Sequence, residues 1–144
     1  MHQKVSFQDL NPLTLLARSA FVYPGKTAVV YGSRRYTYLQ FSDRVKRLAG
    51  ALKSVGVEKG DRVAFLTPNG PPMLEGHYGP LYIGAILVAI NYRLSSREIA
   101  YIINHSGAKV LVFDSELAAI VRDLKDDVPG VTTFVQVVDV APKA

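Results

Sequence analysis

Arg62-Val63-Ala64-Phe65-Leu66-Thr67-Pro68-Asn69 is the stretch whose reading decides the fold. From Val63 to Leu66 every residue is apolar, without the alternation of a half-exposed strand. Such a run suits a strand covered on both faces. Pro68 cannot continue a ladder of backbone hydrogen bonds, and Asn69 behind it is a good helix N-cap residue. The spacing therefore predicts strand, loop and then a helix over roughly Pro71 to Ile83, capped by Asn69. A second apolar strand, about Ala85 to Asn91, follows that helix and completes a strand–helix–strand unit.

The same alternation extends in both directions. Downstream, Ser95 and Glu98 have capping-box spacing ahead of Ile99, Ile102 and Ile103, and Gly107 stops that helix before a strand from Lys109 to Phe113. Asp114 or Ser115 then caps a last helix running to about Lys125, and Val131 to Val138 supplies a last strand. Upstream, Thr37 and Gln40 form another capping box. Behind them Phe41, Val45, Leu48, Leu52 and Val55 recur at helical steps until Gly56 and the turn Glu58-Lys59-Gly60-Asp61. Earlier still, Thr27 to Tyr31 and Arg35 to Tyr38 are short strand-like runs joined by Gly32-Ser33, which reads as a hairpin and an edge feature. The first helix starts at Asn11-Pro12 and runs through Leu13, Leu15, Leu16 and Ala20 to the turn Tyr23-Pro24-Gly25. The expected class is α/β: a mostly parallel sheet with helices on both faces plus an N-terminal β-hairpin. No repeat, linker or low-complexity tract divides residues 1–144, so one domain is expected.

Bulk composition narrows the function. With 49% hydrophobic and 20% charged residues the 144-residue chain has the makings of a real core. The absence of cysteine excludes disulfides, thiolate metal sites and a thiol nucleophile, and fits a reducing cytoplasm. The longest apolar stretch, Ile83 to Ile90, is too short to span a bilayer, and no signal-peptide pattern follows Met1. The net charge is +5. Its basic residues crowd into Arg34, Arg35, Arg44, Lys46, Arg47 and Lys53 against Asp43 alone, and the last four of these cations read as the solvated face of a helix. No aromatic module of the nucleic-acid binders accompanies them, so no nucleic-acid partner is expected.

Catalytic signatures are missing. Gly25-Lys26-Thr27 resembles the end of a phosphate-binding P-loop, but the glycine required five positions earlier is Ala20 and the preceding segment is helical. Neither a Gly-x-Gly-x-x-Gly fingerprint nor a Gly-x-Ser-x-Gly elbow occurs. His2, His77 and His105 have no metal-ligand spacing. His105 faces the negative end of a helix dipole, a sufficient role in itself. His77 lies beside Tyr78 and Tyr82 in the helix after Asn69, and these three are the candidates for lining a substrate pocket at the carboxyl end of the sheet; a packed helical role is the alternative.

Taken in order, several stretches carry a resemblance: Ala28-Val29-Val30-Tyr31-Gly32, Tyr36-Thr37-Tyr38, Gly56-Val57, Lys59-Gly60-Asp61-Arg62-Val63-Ala64 and Pro68-Asn69, followed by Gly84-Ala85, Asn91-Tyr92-Arg93-Leu94, Glu98-Ile99-Ala100-Tyr101-Ile102 and His105-Ser106-Gly107-Ala108-Lys109-Val110. From about Asn11 to Asp114 the chain resembles the N-terminal region of the adenylate-forming superfamily, in particular the AMP-forming acyl-CoA synthetases. The resemblance implies a partial N-terminal domain of an enzyme that joins a carboxylic acid to ATP, releases pyrophosphate and passes the acyl group to coenzyme A. ATP, Mg and coenzyme A would be cofactors of that longer parent. None is assigned to this chain, because the family's Ser/Thr/Gly-rich loop ending in Pro-Lys-Gly, its adenine motif, its ribose-binding aspartate and its catalytic lysine match no position here. Ala89 replaces a common proline and Leu81-Tyr82-Ile83 a common Pro-Met-Ala stretch, which leaves the acyl preference open. Three readings follow: an inactive fragment of an acyl-CoA synthetase, a stand-alone binding or assembly module on the same scaffold, or a piece of an adenylation domain or aryl-acid ligase. As a fragment, the chain would associate with itself through apolar surface that a parent buries.

Overall fold

The structure is a computed structural model, and it describes residues 11–138. Helix α1 (Pro12–Val22) leads into a hairpin of β1 (Thr27–Tyr31) and β2 (Arg34–Thr37), then into the long helix α2 (Tyr38–Ser54). Strand β3 (Arg62–Leu66), helices α3 (Pro71–Gly76) and α4 (Gly79–Tyr82), strand β4 (Ile86–Ala89), helix α5 (Ser96–Ser106) and strand β5 (Val110–Asp114) follow. A 3-10 turn (Ser115–Leu117), helix α6 (Ala118–Leu124), a second 3-10 turn (Lys125–Asp127) and strand β6 (Thr133–Val137) complete it.

Four strands form one parallel sheet in the order β4-β3-β5-β6. Strand β3 is central, and Val63 faces Leu87 on one side and Val110 on the other. Because side chains alternate across a strand, β3 feeds two cores. Ala64 and Leu66 pack with Ile99 and Ile103 of α5 and with Val121 and Leu124 of α6. Val63 and Phe65 pack with Leu52 of α2 and Met73 of α3. The continuous apolar run at Val63–Leu66 is thus explained: both of its faces are covered, and burying each Val or Leu contributes about 1.5–3 kcal/mol. The winding starts at β3, steps out to β4 and then crosses back to β5, so its direction reverses between β3 and β5. In open α/β sheets ligands gather outside the carboxyl ends of the strands, near such a reversal.

The hairpin is not an edge of this sheet. It forms its own two-stranded antiparallel sheet, with Tyr31 opposite Arg34. A third cluster of Leu16, Val29, Phe41 and Val45 binds it to α1 and α2. Three of the expected helix starts are realised with closed boxes: the side chains of Asn11, Thr37 and Ser95 accept from the backbone N–H of Thr14, Gln40 and Glu98, and each box is closed reciprocally. Gly107, in the left-handed region at φ 64°, ends α5.

Other expectations are corrected. Asn69 does not cap α3; Gly70 occupies the N-cap without any side-chain cap. Pro71 and Pro72 carry no N–H, which removes donors that a cap would have satisfied. The single helix over Pro71–Ile83 is two, broken at His77 and Tyr78, because Pro80 lacks an N–H to donate back to the preceding turn and its ring opposes the carbonyl there. The last helix starts as a 3-10 turn, with the Asp114 carboxylate accepting from Glu116 N–H at 2.9 Å. Val55 is exposed at the C-cap of α2 rather than on its buried stripe, where Ala49 and Ser42 join Phe41, Val45 and Leu52. Arg44 is not on a solvated face. It is half-buried, forms an ion pair with Glu75 of α3 at 2.5 Å and stands over the Tyr36 ring at 4.8 Å.

Candidate functional site

The carboxyl ends of β3 and β4 open into a cavity of about 480 Å³. One wall continues β3 with Thr67 and Asn69. A second comes from Met73 and His77 on α3, and a third continues β4 through Ala89, Ile90, Asn91, Tyr92 and Arg93. The two strand ends are held in register by Ile90 N–H donating to Phe65 O at 2.9 Å. Beyond it the chain turns back, since Asn91 Oδ1 accepts from Arg93 N–H at 3.0 Å. That turn brings the Arg93 guanidinium to 5.7 Å from the centre of the Tyr92 ring.

His77 is exposed at the C-cap of α3, and its Nδ1 lies 2.8 Å from Met73 O. A carbonyl only accepts, so this contact fixes the proton on Nδ1 and leaves Nε2 as the free nitrogen. Thr67 is 2% exposed, and its Oγ1 has no hydrogen-bond partner among the described residues. The lining is mixed: Asn69, His77, Asn91, Tyr92 and Arg93 bring polar groups, and Met73, Ala89 and Ile90 bring apolar ones.

The three sequence candidates are not brought together. His77 lines the cavity. Tyr78, one residue on in the turn between α3 and α4, meets Phe41 edge-on with ring centres 5.5 Å apart. Tyr82 packs with the hairpin cluster and lines a groove beside Leu13, Ala17 and Phe21 of α1. Sequence reasoning passed over Thr67, Asn69, Asn91, Tyr92 and Arg93 as ligand-facing residues. The signal was available, because each follows the end of a strand whose carboxyl side opens to solvent.

Elsewhere the electrostatics serve the fold. Lys109 and the backbone N–H of Glu58 hold the Asp61 carboxyl below the usual carboxylate range, and Ser95 does the same for Glu98. Among the described residues no group of three His, Asp or Glu side chains is placed to hold a metal ion. No helix among them is long and apolar enough to cross a membrane.

Comparison with known proteins adds an independent line. The sequence model described as AMP-binding enzyme matches residues 16–144. The chain is 43% identical over 122 residues to 4-hydroxybutyrate–CoA ligase 2 of Metallosphaera sedula, covering 85% of this chain and 22% of that protein. It is 38% identical over 118 residues to a peroxisomal acetate/butyrate–CoA ligase of Arabidopsis thaliana, covering 82% and 21%. Among solved structures, the N-terminal domain of FACL13 from Mycobacterium tuberculosis superposes with a TM-score of 0.85 at 33% identity, covering 89% of this chain and 34% of that one. The chain thus spans about a fifth of the length of the curated relatives it matches.

Proposed function

The chain belongs to the AMP-binding enzyme family, and on that premise we propose that it is the N-terminal portion of an ATP-dependent acyl-CoA synthetase. The parent would convert a carboxylic acid, ATP and coenzyme A into acyl-CoA, AMP and pyrophosphate. The observation that carries this reading is the conjunction of a ligase-like scaffold, matched over most of the chain, with a sequence that lacks the family's phosphate loop and catalytic lysine. These residues do not fit ATP and Mg by themselves: no glycine-rich loop cradles a triphosphate, and the described residues include no carboxylate cluster for a divalent ion. Alone, the chain is inactive on this reading.

Within the parent, this portion supplies one wall of the substrate-binding region. His77 presents Nε2 and Arg93 its guanidinium at the carboxyl ends of β3 and β4, while Tyr78 and Tyr82 shape that wall from behind through the hairpin cluster. The relatives named above act, by their names, on short carboxylic acids, which supports a carboxylic acid as the parent's substrate. The freedom from cysteine supports a reducing compartment such as the cytoplasm. A stand-alone binding or assembly module is the second reading, favoured by the chain's possession of two cores and a hairpin cluster of its own.

A chimera tests the proposal. The 144-residue chain would replace the matching segment of the Metallosphaera sedula ligase, and acid-dependent pyrophosphate release would be followed. Activity in the chimera and none in the isolated chain is the expected result. A folded but inactive chimera, or turnover by the isolated chain, would defeat it.

A further inference from the structure

We propose that Arg44 is a positioning residue: its guanidinium sets the orientation of helix α3, and with it of Met73 and His77, against the cavity beyond β3 and β4. This rests on the reading of that cavity as part of a substrate-binding wall, and goes beyond it by naming what sets the geometry of the wall.

Helix α3 has little hold on its own position. Its six residues fall short of the about 12–15 at which an isolated helix becomes even marginal in water, and no side chain caps it. Pro71 and Pro72 carry no N–H to bind it at its start. Tertiary contacts must therefore fix it. One of them is apolar: Met73 is buried in the same cluster as Leu52 and Phe65, and Gly76 closes on the Phe65 ring. Apolar burial is non-directional, so it holds α3 down without fixing how the helix is turned. The other contact has a direction. Arg44 Nε on α2 donates to Glu75 Oε1 at 2.5 Å, and Glu75 stands two residues before His77.

The Glu75 side chain is only 12% exposed, so its charge is stable there while Arg44 faces it. Deprived of that partner, the carboxylate gains by turning toward water, and the short helix turns with it. Met73 and His77 lie on the same helix and line the cavity, so its shape follows. Arginine suits this post better than lysine. The same guanidinium stands over the Tyr36 ring at 4.8 Å, so the β-hairpin holds Arg44 while Arg44 holds α3. A lysine ammonium brings the charge but neither the planar face nor the directed Nε–H.

Two measurements test this, each on the unsubstituted sequence, Arg44→Lys, Glu75→Ala and Glu75→Gln. In the 144-residue chain, NMR amide shifts report the geometry of the folded state and are blind to how much of the chain is folded. Arg44→Lys and Glu75→Ala should move the signals of Met73 and His77, and those of Asn91 and Tyr92 across the cavity. Glu75→Gln, whose amide oxygen still accepts from Arg44, should move them far less. In the chimera with the Metallosphaera sedula ligase, Arg44→Lys and Glu75→Ala should raise KM for one of acid, ATP or coenzyme A about tenfold with kcat within about twofold. Lost stability alone lowers the active fraction and leaves KM unchanged. Shift changes confined to Tyr36, Arg44 and Glu75, or KM values equal in all four proteins, would overturn the positioning role and leave the substrate wall standing. An inactive chimera whose isolated chain shows the expected shifts would instead defeat the substrate wall while upholding the hold of Arg44 on α3.

Discussion

Lys109 Nζ stands 2.8 Å from Asp61 Oδ1, joining the entrance of β3 to that of β5. The other carboxylate oxygen, Oδ2, accepts from the backbone N–H of Glu58 at 2.9 Å and closes the turn before β3. Both contacts favour the ionised form, so the folded chain holds the Asp61 carboxyl below its ordinary value. A depressed folded value means that the stabilisation is complete above the unfolded carboxylate value of about 3.9 and is lost as pH falls through the lower folded value. The unsubstituted chain should therefore exceed Asp61→Asn in stability at neutral pH, and the gap should close in acid. Urea unfolding of both proteins across acidic and neutral pH checks this; a gap that widens in acid would contradict it.

Gly76 marks a close approach of α3 to the sheet. A Cβ placed on it would sit 2.7 Å from Cε1 of the Phe65 ring, which is itself 1% exposed and has no room to retreat. Gly76→Ala should destabilise the chain by about 1–3 kcal/mol, the usual cost of overpacking, despite alanine's better helix propensity. Chemical denaturation measures it. An unchanged or raised midpoint would show that α3 lifts off freely.

The Thr37 and Gln40 box starts α2 where β2 ends, with Gln40 N–H donating to Thr37 Oγ1 at 3.2 Å and Thr37 N–H to Gln40 Oε1 at 2.9 Å. Thr37→Ala removes one side of this exchange and should lower stability by about 1 kcal/mol. A parallel fall for Ser95→Ala is expected at α5, where Glu98 N–H donates to Ser95 Oγ at 3.4 Å and that hydroxyl donates to Glu98 Oε2 at 2.7 Å. Thermal unfolding of the two single variants and the double variant should show additive losses, since the two caps share no partner.

Helix α1 turns Leu15, Phe21 and Val22 to solvent, Phe21 being 87% exposed. If a longer parent covers this face, the isolated chain should self-associate through it. Light scattering should then report dimers or larger species that Phe21→Ser shifts toward monomer. A strict monomer at high concentration would remove this expectation.

Much of the architecture was readable because its signals are local. The apolar run Val63–Leu66 announced a strand covered on both faces, and Thr37/Gln40 and Ser95/Glu98 announced helix starts that the hydrogen bonds reproduce. What escaped was set by local detail or by distant partners. Asn69 reads as a cap, a role that two prolines make unnecessary, and Pro80 signals the break of α3 from α4 where periodicity alone predicts one helix. Arg44 reads as solvent-facing because nothing in its own helix foretells Glu75, 31 residues away. The cavity is least legible: His77 reads as a pocket residue, whereas Thr67 and Arg93 come to line one cavity only when β3 and β4 lie side by side.

Helix α2 belongs to two interiors at once. Phe41 and Val45 near its start are sealed among hairpin residues, while Leu52 near its end is sealed beneath the parallel sheet. It acts as a common axle, so loosening either end transmits strain to the other. Slow amide exchange should consequently fade together in Val29, Val45 and Val63, and the small antiparallel sheet should never melt as a separate, earlier phase.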